Sequence, residues 1–194
     1  EGGTIWKSTD GDTWLPFVTN GNCDPHACGV ISSVVFAENL YFGVADWSGI
    51  AGGRIWRTDG TTVTEVVGDG FGNPNNTTPG GLEVFGERLY ASIASDESYQ
   101  VWVSEAGDPD SWSLVWELLT AGSEAGDATG LITYNNNLYL TVQNNSSGMQ
   151  VWRTADGQTW EQVGFAGFGD ANNTYAQYSE SLEVFKGQLF IGAI

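Results

Sequence analysis

Cationic and redox-active side chains are scarce in this chain. Six lysines and arginines stand against 24 aspartates and glutamates, a net charge of −18, with one histidine, one methionine, two cysteines and five prolines in 194 residues. So negative a surface repels polyanions, which argues against nucleic acid and anionic membranes as partners. Solubility or a saline medium accounts for the charge, and binding of cations or cationic surfaces is the sharper alternative. With His26 as the lone histidine, placed between two cysteines, no nucleophilic triad can be assembled. No apolar run is long enough to cross a membrane, so no membrane insertion is expected, and no leader segment is present, which fits a mature or excised chain. No glycine loop precedes a helix in the manner of a phosphate cradle.

Cys23 and Cys28 enclose Asp24, Pro25, His26 and Ala27. That spacing fits a small disulfide-closed loop and an oxidising, secreted or cell-surface location. A zinc site is the rival reading, and it would need carboxylates from elsewhere.

What the chain has in quantity is glycine and tryptophan, 27 and nine residues. The tryptophans are ordered. In Met149–Val163, Gln150, Trp152 and Thr154 alternate with Val151 and Arg153, the period of a half-buried strand, and Asp156-Gly157 supplies a tight turn. Residues 5–14 repeat the unit, residues 55–60 its first half, and Val101–Ser104 enter a longer turn before Trp112. The strand tryptophans Trp6, Trp56, Trp102 and Trp152 are thus spaced by 50, 46 and 50 residues. A second motif interleaves, at Val35-Phe36 and Leu40-Tyr41, Val84-Phe85 and Leu89-Tyr90, Thr133-Tyr134 and Leu138-Tyr139, and Val184-Phe185 and Leu189-Phe190.

A period of roughly 48 residues with four strand signals and no helical stretch predicts an all-β fold, a β-propeller of four blades with four antiparallel strands each. Blade one is expected at 33–36, 40–45, 54–58 and 62–67, blade two at 82–85, 89–94, 100–104 and 113–118, and blade three at 131–134, 138–142, 150–154 and 159–163. The N-terminal strands 4–8 and 13–18 are expected to complete the last blade, opened by 181–185 and 189–194, so that residues 1–194 form one ring-closed domain. A segment cut from a longer array is the alternative.

Residues 8–14 and 154–160 resemble the Asp-box repeats of sialidase-like propellers, and the wider repeat resembles uncharacterised repeat arrays of secreted bacterial proteins. The resemblance implies a structural hairpin role for Asp10, Thr13, Trp14, Asp156, Thr159 and Trp160. It does not extend to sialidase chemistry, since the arginine cluster and the Phe/Tyr-Arg-Ile-Pro motif are missing.

Glu83 and Glu183, on two inner strands, are the candidate pair for a glycosidase. Comparison of the repeats favours instead inter-blade ion pairs Arg57–Glu83 and Arg153–Glu183. Trp47 falls outside the tryptophan pattern, beside Asp46 in a turn, and Tyr99, Tyr175, Tyr178 and Asn144 fall near the same loop face. Aromatic rings take the apolar face of a sugar while amides and carboxylates take its hydroxyls. The Asn/Asp-rich loops at 73–76 and 170–173, with a reduced form at 126–129, suit Asx turns, with calcium as the alternative ligand and no other cofactor implied. The expectation is a secreted, non-enzymatic, lectin-like module binding an extracellular glycan or cell-surface protein. A structural or adhesive module is second, and a glycosidase third.

Overall fold

The computed structural model describes residues 4–18, 28–120, 126, 129–176 and 178–194. Cys23, His26, Asp127 and Ala128 lie outside the described residues. The described residues form sixteen strands, and each sheet is an antiparallel meander with neighbours in chain order. Blade 1 comprises β3 (Cys28–Phe36), β4 (Asn39–Asp46), β5 (Arg54–Thr58) and β6 (Val63–Val67); blade 2 comprises β7 (Thr78–Phe85), β8 (Arg88–Ala94), β9 (Ser98–Ser104) and β10 (Trp112–Leu119). Blade 3 comprises β11 (Thr129–Tyr134), β12 (Asn137–Val142), β13 (Gln150–Thr154) and β14 (Glu161–Val163). Two two-stranded sheets flank them, β1 (Ile5–Lys7) with β2 (Leu15–Val18), and β15 (Leu182–Phe185) with β16 (Gln188–Ile191). The architecture is propeller-like.

The core lies between blades. Tyr41, Ile55, Val66, Val67, Leu82 and Leu89 form the contact of blades 1 and 2, and Tyr90, Tyr99, Val101, Leu131, Leu138 and Leu140 that of blades 2 and 3. Inner strands approach closely because small residues line them. A Cβ on Gly81 would lie 2.6 Å from Ser92 Oγ and 2.7 Å from the Leu131 nitrogen, so β7 can meet β8 and β11 there only with glycine.

Three hairpin turns, β1–β2, β5–β6 and β13–β14, use one recipe. Asp10 Oδ1 accepts the N–H groups of Asp12 and Thr13 at 2.9 and 2.7 Å, and Asp156 Oδ1 those of Gln158 and Thr159 at 2.8 and 2.7 Å. Asp59 does the same for Thr61 and Thr62. These donors stabilise the ionised form and hold Asp10 at a pKa of about 2, with Asp156 shifted in the same direction. Trp160 packs on Trp116 of the preceding blade, with ring centroids 5.7 Å apart, whereas Trp14 is 56% exposed.

Two expectations fail here. The fourth blade is not assembled: β1–β2 and β15–β16 are separate sheets, so the N-terminal strands do not complete the last blade within this chain. Nor do the expected pairs Arg57–Glu83 and Arg153–Glu183 form among the described residues. Arg57 binds Asp108 at 2.5 Å and Arg153 binds Glu161, both carboxylates well exposed and close at hand on outer turns and strands. Glu83 instead accepts the Thr133 N–H of β11 at 3.0 Å. Pairing near the surface avoids desolvating two charges at the blade contact.

Candidate functional site

The turns leaving the second strand of each blade are built alike. Asp46 Oδ1 accepts the Ser48 N–H at 3.0 Å, Ser95 Oγ accepts those of Glu97 and Ser98 at 3.2 and 3.0 Å, and Asn144 Oδ1 those of Ser146 and Ser147 at 3.0 and 2.8 Å. Each is a short polar side chain closing an Asx-type or hydroxyl turn. The loops entering the next blade bind the same turns. Asp46 N–H donates to Thr77 O and Gly53 N–H to Asn76 O; in blade 3, Asn144 N–H donates to Thr174 O and Met149 N–H to Asn173 O. Both loop sets therefore share one face, as the repeat predicted.

The Asn/Asp-rich loops are held by their own side chains. The amides of Asn76 and Asn173 each donate to a glycine carbonyl, Gly70 and Gly167, at 2.9 Å, while Asn73 and Asp170 accept the N–H groups of Asn75 and Asn172. Among the described residues no three His, Cys, Asp or Glu side chains gather closely enough to hold a metal ion.

Trp47 follows the Asp46 turn and is fixed in place. Its Nε1 donates to the buried Thr78 Oγ1 at 3.1 Å, and its ring edge rests against Gly29, where a Cβ would come within 3.0 Å. The indole nonetheless stays 44% exposed. It borders a groove of about 410 Å³ lined by Ser48, Asn75, Thr77, Asp96 and Gly126, gathered from the loops of blades 1 and 2. Asp46 lies behind the indole, 2% exposed, with Arg54 at 3.9 Å from its other oxygen.

Of the six residues predicted to bind a ligand, only Trp47 lines this groove. Asp46 and Asn144 close turns. Tyr99 is 1% exposed, and its hydroxyl donates to Gln143 O at 2.7 Å and accepts the Gly126 N–H at 2.8 Å, which supports the groove from beneath. Tyr175 exchanges backbone hydrogen bonds with Ile194, and Tyr178, left-handed at φ 52°, sets its ring beside Gly80 of blade 2. Sequence reasoning missed Asp96, Asn75, Ser48 and Thr77. A positional signal existed for Asp96: it follows Ser95 as Trp47 follows Asp46, one step past the turn-closing residue.

Glu83 and Glu183 are not set as a facing pair. Burial pushes the Glu83 carboxyl up, with the Thr133 N–H opposing, because it points into the contact of blades 2 and 3. Glu183 is exposed and accepts the Val184 N–H at 3.0 Å. A second groove, of about 360 Å³ between β3 and Ser179, is lined by Val30, Ile31, Ser32, Ser33 and Phe42, with no titratable side chain among the described residues that line it.

No protein-family model and no curated protein matches the chain. Among solved structures it resembles a β-1,3-galactosidase at a TM-score of 0.55 and 11% identity, covering 98% of this chain and 76% of that one. An α-L-arabinofuranosidase from Clostridium thermocellum matches at 0.51 and 15% identity, over 96% and 68% of the two chains. A prolyl endopeptidase matches at 0.52 and 14% identity over 82% of this chain, which spans only 22% of the enzyme's length. At such identities the likeness establishes the propeller fold alone. Against the expectation of a non-enzymatic lectin-like module and its structural or adhesive alternative, the two of these neighbours that match nearly all of this chain, over 98 and 96%, are glycosidases, and the expectation is corrected accordingly.

Proposed function

We propose that the protein acts on glycans as a glycoside hydrolase, with the Trp47 groove as a sugar subsite. The observation that carries this reading is the indole, locked by Thr78 yet 44% exposed, bordering a groove that also holds the Asp96 carboxylate. An immobilised ring offers apolar surface to the C–H face of a pyranose or furanose at little entropic cost. Ser48, Asn75 and Thr77 supply donors and acceptors for its hydroxyls. Asp96 is the carboxylate among the described residues that line the groove and is assigned the proton-transfer role. The glycosidase neighbours support the substrate class, and arabino- and galacto-configured glycans are the first to try.

The same reading places the protein outside the cytoplasm, where polysaccharide is met, with Cys23 and Cys28 joined in a disulfide. Peptide mapping without reduction checks that bond.

The functional test is release of reducing sugar from arabinan and galactan fragments, with binding followed by calorimetry. Asp96→Asn should lower turnover by about 10²-fold or more while leaving affinity nearly intact. Trp47→Ala should weaken binding by about tenfold, the worth of one stacking contact. Absence of both binding and release by the wild-type protein across the panel would sink the reading.

A further inference from the structure

Where the loop leaving β6 meets blade 2, a pocket of about 250 Å³ opens between the two blades. Val66 and Val67 of β6, both buried, give it an aliphatic side. Its other walls are aromatic. Phe71 stacks on Trp102 with ring centroids 4.5 Å and planes 11° apart, and it meets Trp112 at 5.7 Å and 71°. Ring planes in two nearly perpendicular orientations therefore bound the pocket. Phe71 takes its place at φ 60°, a left-handed backbone that a bulky side chain rarely adopts.

Two carboxylates complete the lining, Asp69 from the loop and Asp110 from the turn before Trp112. The Gly72 N–H donates to Asp69 Oδ1 at 3.0 Å and fixes that side chain. No cationic side chain lines the pocket among the described residues, and the arginines of β5 are committed elsewhere, Arg54 to Asp46 and Glu65 and Arg57 to Asp108. The charges are not part of the repeat's turn recipe. In blade 3, Ala166 stands before Gly167-Phe168 where Asp69 stands before Gly70-Phe71, and Gln158 stands two before Trp160 where Asp110 stands two before Trp112.

The hydrogen-bonding character of the pocket separates it from the Trp47 groove. Carboxylates only accept, the Trp102 Nε1 is spent on Gln100 Oε1 at 2.9 Å, and the Trp112 Nε1 is buried. A sugar would find acceptors but no side-chain donor. A quaternary ammonium neither donates nor accepts, and it asks for what is present: aromatic faces for its methyl groups and negative charge close by. The volume suits the head of a small cation, below the roughly 300–1,000 Å³ of sites that enclose a whole drug-sized ligand.

We propose that this pocket binds a quaternary ammonium cation of the choline type, held by Phe71, Trp102 and Trp112 and paired with Asp69 and Asp110. A ligand that carries its own carboxylate beside the ammonium is disfavoured, because that group meets the two aspartates. The site is separate from the Trp47 groove and independent of any action on glycans.

The test is calorimetric titration of the full chain at about 0.15 M salt, where diffuse attraction of cations to the acidic surface is screened. The ligands are choline, its uncharged carbon isostere 3,3-dimethylbutan-1-ol, ethanolamine and glycine betaine. Choline should bind saturably at one site per chain, and the other three should bind at least about tenfold more weakly. The Asp69→Asn/Asp110→Asn variant should weaken choline by about tenfold with an unchanged circular dichroism spectrum, since both positions are exposed and Asn keeps the acceptor for Gly72. Trp47→Ala should leave choline affinity unaltered. The ligand series on the wild-type chain stands even where a variant folds poorly. Several results overturn the proposal: no saturable choline binding up to tens of millimolar, an isostere that binds as well (an apolar cleft only), or ethanolamine that binds as well (acidic attraction only). A folded double variant with undiminished affinity, or loss of binding in Trp47→Ala, would equally remove the cation from this pocket.

Discussion

Tyr99→Phe separates a structural hydroxyl from a ligand contact. The ring is fully buried among Tyr90, Val101, Leu131 and Leu140, and phenylalanine fills the same space, so no cavity opens. What disappears is one oxygen that donates to Gln143 O and accepts the Gly126 N–H. Each buried group left without a partner costs about 1–3 kcal/mol. Gly126 and Gln143 are half-buried, so water recovers part of the loss, and the substitution should cost about 2 kcal/mol. In a domain of this size about 1 kcal/mol moves Tm by 2–4 °C, which puts the expected drop near 4–8 °C. Calorimetric melts at neutral pH, with urea titrations showing an unchanged m-value, give the number. Oligosaccharide affinity should change less than threefold, about 0.7 kcal/mol, because the hydroxyl supports the groove through Gly126 rather than facing its contents. An unchanged Tm with a tenfold loss of affinity would refute this and return Tyr99 to the ligand.

Three further perturbations probe the frame. Asp10→Asn and Asp156→Asn remove carboxylates whose folded pKa is depressed by backbone donors, so their contribution is present above the unfolded value of 3.8 and is lost as pH falls through the folded one. The Tm difference between wild type and Asp10→Asn should therefore narrow between about pH 4 and pH 2, and a constant difference would count against the turn geometry. Glu83 is the opposite case: burial raises its pKa, so the folded state binds its proton more tightly and wild-type stability falls as pH rises above the ordinary carboxylate range. Glu83→Gln keeps an acceptor for Thr133 and should match or exceed wild type in urea melts at pH 7, with the advantage gone at pH 4; a clear loss at pH 7 would contradict it. Phe71→Ala should cost about 2–4 kcal/mol by removing the ring that stacks on Trp102 of blade 2 and meets Trp112 edge-on, whereas Phe168→Ala, at an exposed position, should cost under about 0.5 kcal/mol. Equal costs would mean the Phe71 contacts are not what joins blades 1 and 2.

Strand positions were largely legible because tryptophan and aromatic pairs mark them with a fixed period. The predicted third strands 54–58 and 150–154 coincide with β5 and β13. The inner strands are longer than expected, β7 beginning at Thr78 rather than Leu82, because Pro79, Gly80 and Gly81 carry no strand propensity. Tertiary packing overrides that preference: the blades converge there, and Gly81 leaves room for Leu131 and Ser92. Closure was not legible for a different reason. Periodicity says which strand type belongs beside which, but whether the sheets close into a ring depends on the curvature of the arc.

Asp46 and Asn144 stand outside the groove for one reason, which also shows how the groove is made. Asp46, Ser95 and Asn144 are 49 residues apart, 46 to 95 and 95 to 144, so they belong to the repeat and close its turns. A repeat must solve the same backbone problem in every blade, so polar residues that keep the period serve the turn. The residues one position later are released from that duty and differ: Trp47, Asp96 and Asn145. Two of these three line the one groove between blades 1 and 2, an indole and a carboxylate, while the residues preceding them stay committed to the loops. Chemistry in this fold is therefore to be sought where period-mates diverge at an exposed position next to a conserved turn geometry. By that criterion Trp47 and Asp96 qualify together, and Asp46, Asn144, Glu83 and Tyr99, each bound to the framework through its own side chain, do not.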